Sequence, residues 1–68
     1  MNFEVGKYYL VEDSVIFRVD KIYDSGKRVN IYYWDVSDDC EGKLKLSVQS
    51  IRGSIPIVKE VADIMVNS

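Results

Sequence analysis

Apolar residues stand at every second position in several short runs of the chain, and polar segments separate these runs. One run places Val15, Phe17 and Val19 on the same side of an extended backbone. Such alternation indicates strands of an antiparallel sheet that bury one face. The runs predict five strands, over residues 5–11, 15–23, 28–36, 44–48 and about 55–61.

Two features of the pattern predict where the sheet bends. The apolar phase slips at Asp20 and Lys21, because Ile22 takes the place that strict alternation gives to position 21. A slip of one residue indicates a β-bulge. The Asp-Ser-Gly-Lys segment at 24–27 predicts a hairpin turn, since glycine adopts a positive φ without steric cost. The polar, acidic residues 37–43 predict a loop before the fourth strand.

The C-terminal segment fits two structures. Its β-branched residues favour a strand to about Val61, followed by one helical turn. Alternatively, Ile57, Val61, Ile64 and Met65 stand at helical spacing, with Pro56 in the first turn of a helix. The sequence favours the strand and leaves the helix open.

The composition supports a fold built mainly of strands. Hydrophobic residues make up 47% of the 68 residues, and Val, Ile and aromatic side chains are prominent beside a single alanine. The length suits one domain, over residues 1–68. Five short strands are too few for a sandwich. We therefore predict an all-β or mainly β fold in which a bent five-stranded antiparallel meander closes into a small barrel. A short helical turn at the C-terminus is compatible with this fold.

The core positions of the predicted strands resemble those of a known group of small barrels. The pattern comprises Phe3-x-Val5-Gly6, Tyr9-x-Val11, Phe17-Arg18-Val19-x-x-Ile22 and Val29-x-Ile31-x-Tyr33-x-Asp35. Over residues 3–61 it resembles the SH3-like barrels of the Tudor or KOW kind. The resemblance implies a domain that binds peptides, modified side chains, nucleic acid or other proteins. Tudor-type readers of methylated side chains use an aromatic cage, and the chain does not match a complete cage residue by residue.

Residue types needed for common catalytic sites are scarce. The chain has no histidine, and its one cysteine, Cys40, stands between Asp39 and Glu41, which disfavour the reactive thiolate. We therefore expect no enzyme activity, no catalytic residues and no cofactor. The acidic residues 35–42 lack the ligand spacing of an EF-hand, so we expect a solvated loop there and no metal site.

The net charge and the types of segment in the chain limit the ligands and the cellular location that we expect for the protein. The formal net charge of −2 disfavours binding driven mainly by phosphate neutralisation. No apolar stretch reaches the ~20 residues that span a bilayer, and the first residues lack the pattern of a signal peptide. A single cysteine also excludes an internal disulfide. We expect a cytoplasmic protein without membrane contact.

Apolar and aromatic side chains on both sides of the strands predict a binding surface. If Val29, Ile31 and Tyr33 face the core, then Tyr32 and Trp34 face outward. Tyrosine and tryptophan are common anchors of protein interfaces. We predict a protein–protein interaction module, an adaptor or inhibitor of the kind that phages and other mobile elements produce. The predicted partner-binding residues are Tyr8, Ile16, Arg18, Tyr32, Trp34, Asp38, Asp39 and Glu41.

Other uses of this outward side stay open. A second copy of the chain is an equally simple partner. The alternative function is nucleic-acid binding, in which bases stack on the aromatic rings while Arg18, Arg28, Lys45 and Arg52 contact phosphates. If the side is not a binding surface, we expect barrel curvature or the C-terminal segment to cover it.

Overall fold

Strands and two short helices follow one another along the chain. The computed structural model describes residues 3–67, and the ends of the predicted domain, Met1, Asn2 and Ser68, lie outside the described residues. The strands are β1 Tyr8–Val11, β2 Val15–Tyr23, β3 Arg28–Asp35, β4 Cys40–Ser47 and β5 Ile55–Ile57. The helices are a 3-10 helix, Val48–Ile51, and an α-helix, α1, Lys59–Val66.

The described strands form one antiparallel sheet in the order β4-β3-β2-β1-β5. The prediction of a mainly β fold with five antiparallel strands is confirmed. The sheet is not closed into a barrel, because β5 pairs with β1 and leaves β4 as the opposite edge. β5 spans only Ile55–Ile57, and Pro56 has no backbone N–H to donate, so β5 adds little pairing of its own.

Residues with left-handed backbone conformation make the hairpin turns. Between β2 and β3, Asp24, Ser25 and Gly26 have φ angles of 54°, 57° and 85°, and the turn predicted there is confirmed. Between β1 and β2, Glu12 and Asp13 have φ angles of 56° and 63°. Only glycine adopts this region without steric cost, so the other four residues are held there by the paired strands on either side.

The β-bulge predicted in β2 is also confirmed. Val19 and Lys21 pair with consecutive residues of β3, so Asp20 is an extra residue between them. Because of this extra residue, Val19 and Ile22 both pack in the core although they are three positions apart.

Two strands begin at residues other than the predicted ones. The first strand begins at Tyr8 and not at Val5, because Gly6, with a φ of 84°, turns the chain there. The loop predicted over residues 37–43 was wrong from Cys40 onward, since pairing with β3 continues to that residue. The charged side chains of this stretch are compatible with a strand because β4 is an exposed sheet edge.

The C-terminal segment contains both structures that the sequence left open. β5 is followed, after the single residue Val58, by α1, which runs for two turns over Lys59–Val66. The strand predicted to Val61 is therefore too long. Lys59 and Asp63 form an i,i+4 ion pair of 3.0 Å, and the N–H of Ala62 donates to the carbonyl of Val58, so local contacts support the helix.

The main core lies on one side of the sheet. Tyr9 of β1 and Phe17 of β2 stack with their ring centroids 5.4 Å apart. Phe3 from the N-terminal segment and Ile51 from the 3-10 helix complete the cluster, which excludes apolar surface from water. Its buried members are Phe3, Tyr9, Phe17, Val19, Val29, Ile31 and Ile51.

Candidate functional site

The outer face is the side of the sheet opposite the main core. Residues that pair directly across neighbouring strands have their side chains on the same side, so the pairing defines rows of side chains. Across β2, β3 and β4, the four rows are Ile16–Trp34–Glu41, Arg18–Tyr32–Lys43, Lys21–Asn30–Lys45 and Tyr23–Arg28–Ser47. On β1, Leu10 extends the first of these rows and Tyr8 extends the second.

An aromatic–arginine cluster, formed by Tyr8, Arg18, Tyr32 and Trp34, occupies the first two rows. Tyr8 and Trp34 stack with ring centroids 6.2 Å apart, and Tyr32 packs against Trp34 at 4.9 Å. The Arg18 guanidinium lies 5.6 Å from the Tyr32 ring and 5.9 Å from the Trp34 ring, within range of cation–π attraction. All four side chains are half-buried. The cluster thus brings together the three residue types that dominate binding hot spots.

Two carboxylates are hydrogen-bonded to this cluster. Arg18 Nε donates to Asp20 Oδ1 at 2.7 Å, and this bond raises the pKa of Arg18. The Tyr32 hydroxyl donates to Glu41 Oε2 at 2.7 Å, and this bond raises the pKa of Tyr32. Both bonds are exposed to solvent, so they contribute little to stability. Their effect is to orient Arg18 and Tyr32 on the sheet.

Helix α1 lies across one half of the outer face. Ile16 is 0% exposed and Ala62 is 1% exposed, although neither belongs to the main core cluster. Val66, at the end of the helix, lines a 70 Å³ cavity together with Trp34, and the N-terminal end of the helix borders β1. A helix of this length is about 12 Å long, enough to cross from β1 to β3. α1 therefore covers the row that contains Ile16 and forms a second, smaller core with it.

An apolar strip runs along the outward surface of β5, the linking residue Val58 and α1; its members are Ile55, Val58, Val61 and Ile64. These side chains are 55%, 60%, 41% and 69% exposed, respectively. The last three follow one another at three-residue spacing, which aligns them along one flank of the helix. The strip was not among the predicted sites; the helical spacing of Val61 and Ile64 was the signal for it, but the sequence favoured a strand.

The opposite flank of α1 is polar and lies next to the aromatic–arginine cluster. It carries the ion pair between Lys59 and Asp63. The hydrogen bond to Asp63 raises the pKa of Lys59. Lys59 and Tyr8 line the same shallow cavity, so this flank lies beside the Tyr8 ring. The apolar strip consequently faces away from the cluster, toward the β5 edge of the sheet.

The structure separates the predicted partner-binding residues into three environments. Ile16, which was predicted as a contact residue, is 0% exposed and offers no accessible surface to a partner. Asp38 and Asp39 lie in the turn between β3 and β4, at the end of the sheet. The predicted residues that share the outer face and keep accessible surface are Tyr8, Arg18, Tyr32, Trp34 and Glu41.

The end of the sheet that carries the β1–β2 and β3–β4 turns is acidic. The two turns are joined by a hydrogen bond from the Val36 N–H to the Ser14 carbonyl, 2.9 Å long. Within residues 3–67, no group of three or more His, Cys, Asp or Glu side chains is placed to hold a metal ion. The carboxylates of this acidic end are Glu12, Asp13, Asp35, Asp38 and Asp39.

Two further findings bear on function. Neither helix in the described part of the chain has the length and apolar character needed to cross a membrane. Comparison with protein-family models, with curated proteins and with solved structures found no match to the chain. Function is therefore inferred from the chemistry of the chain's own surfaces.

Proposed function

We propose that this protein is a non-catalytic binding module whose apolar strip docks onto another protein. The observation that carries the proposal is the joint exposure of Ile55 in β5, Val58 between the two elements, and Val61 and Ile64 in α1. The module acts by occupying a surface of a larger partner, as an adaptor or an inhibitor does. The resemblance of the core positions to SH3-like domains, which include peptide- and protein-binding members, supports the same proposal.

The side chains of the apolar strip are not the ones with which α1 covers the sheet. In α1, Ala62 is buried and Met65 and Val66 are half-buried, whereas Val61 and Ile64 are exposed. A helix that only covers a sheet is polar on its solvent side. Single exposed aliphatic residues are ordinary, but a contiguous strip of them is typical of an interface. The second flank of α1 is thus available to a partner.

The surroundings of the strip indicate the chemistry of that partner. The C-terminal end of α1 borders the acidic end of the sheet, since Val66 shares a cavity with Asp39 and Glu41. Charges at the rim of an interface steer association and select partners with the opposite charge. The partner surface is therefore apolar at its centre and basic at its rim.

Site-specific photocrosslinking tests this proposal. Benzoylphenylalanine replaces Ile64, in the strip, and in a matched control it replaces Glu60, which is exposed on the same helix outside the strip. In a nuclease-treated lysate of the source organism, we expect a discrete protein adduct from position 64 and none from position 60. Equal adducts from both positions would contradict the proposal. An adduct of twice the chain mass would show instead that the strip binds a second copy.

Calorimetry with the partner identified in this way measures what the strip contributes. The double variant Val61→Ser/Ile64→Ser should bind at least about tenfold more weakly, which corresponds to about 1.4 kcal/mol. The matched double variant Lys59→Ser/Glu60→Ser changes the same helix outside the strip and should bind like the unmodified protein. Equal affinities for the two double variants would overturn the assignment of the strip as the docking surface.

A further inference from the structure

The half of the outer face that α1 leaves bare, called the open half, concentrates positive charge. It comprises the rows Arg18–Tyr32–Lys43, Lys21–Asn30–Lys45 and Tyr23–Arg28–Ser47. These rows hold five of the nine Lys and Arg residues of the chain, and the carboxylates beside them are Asp20, Asp24 and Glu41. The rest of the chain keeps four cations against eight carboxylates. A chain with a net charge of −2 thus has one positively charged face.

Aromatic rings alternate with the cations on this half. The Lys21 Nζ lies 5.8 Å from the centroid of the Tyr23 ring, and the Arg18 guanidinium lies over the Tyr32 ring. Both tyrosines are half-buried, so each ring is supported by the sheet and keeps accessible surface. Rings held in this way stack on bases, while neighbouring cations contact phosphates.

The floor of the open half contains a buried polar atom without a partner. Asn30 Oδ1 is buried and accepts no hydrogen bond within the described residues. Asn30 lines a groove of about 300 Å³ together with Asp20, Lys43 and Lys45. A buried amide oxygen without a donor is costly, and side-chain amides hydrogen-bond to the edges of bases. An exocyclic amine of a base is a donor of suitable size for this groove.

We propose that the open half binds single-stranded nucleic acid. Bases stack on Tyr23 and Tyr32, a base amine donates to Asn30 Oδ1, and Lys43 and Lys45 contact phosphates. An acidic peptide offers carboxylates to the same lysines, but it offers no aromatic plane to the two rings. A single strand is favoured over a duplex because stacking on a protein ring requires an unpaired, accessible base.

Fluorescence anisotropy with a labelled single strand of about twelve nucleotides and mixed sequence tests the proposal, with poly-glutamate and the corresponding duplex as competitors. We expect the single strand to compete best. The variant Lys43→Gln/Lys45→Gln should bind about 25-fold more weakly at 0.1 M salt and should lower the salt slope by about 1.4, as expected for two lost phosphate contacts. Arg52, which the sequence suggested as a phosphate contact, lies beyond the 3-10 helix and outside the rows. The matched control Lys7→Gln/Arg52→Gln therefore removes the same charge from exposed positions outside the open half and should change affinity less than about twofold.

Tyr32→Leu separates base stacking from attraction to any polyanion. It should weaken oligonucleotide binding about tenfold or more and leave competition by poly-glutamate unchanged. If poly-glutamate competes as well as the single strand and Tyr32→Leu has no effect, the open half is a site for acidic peptides and the proposal is overturned. Absence of binding to the oligonucleotide overturns it as well. Tyr32, Lys43 and Lys45 lie outside the apolar strip, so these outcomes are independent of the proposed protein docking. Circular dichroism spectra of the variants serve as the control that each of them is folded.

Discussion

The outer face has two halves on the same three strands, β2, β3 and β4. Helix α1 lies over one of them, called the covered half, and leaves the open half accessible to solvent. In the covered half, Ile16 pairs with Trp34 and is completely buried under α1. In the open half, Lys21 pairs with Asn30 and Lys21 is exposed. The backbone pairing is continuous through both halves apart from the bulge at Asp20. The difference therefore comes from the side chains.

A single row of side chains limits how far the core beneath α1 extends across the outer face. A helix docks where it removes apolar surface from water, as over Ile16. It cannot extend over lysine and arginine, because burying an unpaired charge costs several kcal/mol. The row Arg18–Tyr32–Lys43 marks the border, since its arginine is half-buried and its lysine is exposed. Stability and ligand binding are consequently separated on one sheet face.

The largest expected effect tests whether the covered half is a true core. Ile16→Ala should lower the free energy of unfolding by about 3 kcal/mol, because it leaves a cavity beneath α1. Ile64→Ala, in the exposed strip, should lower it by less than about 0.5 kcal/mol. Urea denaturation measures both variants. Similar values for the two would mean that α1 does not pack on Ile16.

A somewhat smaller effect tests the docking of the helix itself. Ala62→Asp places a charge in the contact with the sheet, so α1 should detach and the protein should lose about 2 kcal/mol of stability. Trp34 is the only tryptophan of the chain, and its fluorescence emission should shift to longer wavelength as water reaches it. Ile64→Asp is the control on the exposed flank and should leave the emission unchanged. An unshifted emission in Ala62→Asp would contradict the contact between α1 and Trp34.

In the open half, a charge change should alter binding and leave stability almost constant. Asp20→Asn frees Arg18 from its ion pair, and because that pair is exposed the free energy of unfolding should change by less than about 0.5 kcal/mol. Affinity for the single strand should rise about fivefold at 0.1 M salt, the effect of one additional phosphate contact. Asp63→Asn removes an exposed ion pair elsewhere and serves as the control. A comparable gain in Asp63→Asn would show that only the overall charge matters.

The smallest effect concerns the border row. The hydrogen bond to Glu41 favours the protonated Tyr32 hydroxyl and raises its pKa, so Tyr32 should ionise at a higher pH than free tyrosine. Its contribution to stability is present below the ordinary tyrosine pKa and is lost as the pH rises through the raised value. Glu41→Gln should return the pKa toward its ordinary value. Carbon-13 NMR of the tyrosine ring measures both titrations; identical curves would mean that the bond is not formed in solution.

Features set by neighbours in the chain were predictable from the sequence. The turn at residues 24–27 and the bulge at Asp20 each leave a local signature in residue type or apolar phase. The alternation in β3 likewise identified which side faces the core, and Val29 and Ile31 are buried there. Each of these inferences depends on positions only a few residues apart.

Features set by distant contacts were not predictable. Alternation places Ile16 on the outer face, yet it is completely buried, because α1, which begins at Lys59, covers its row. The β-branched residues of α1 favour a strand by propensity, but packing against the sheet selects the helix. The rows that gather the cations depend in turn on the register of β4, whose start at Cys40 lies in a stretch that reads as a polar loop.

The bulge in β2 has a consequence for the evolution of the open half. Asp20 is the extra residue, so deletion of its codon leaves Arg18, Val19, Lys21 and Ile22 on the sides of the sheet that they already occupy. The same deletion removes one negative charge next to Arg18. A lineage can therefore retune the charge of this surface by gaining or losing one codon, in frame and without repacking the interior.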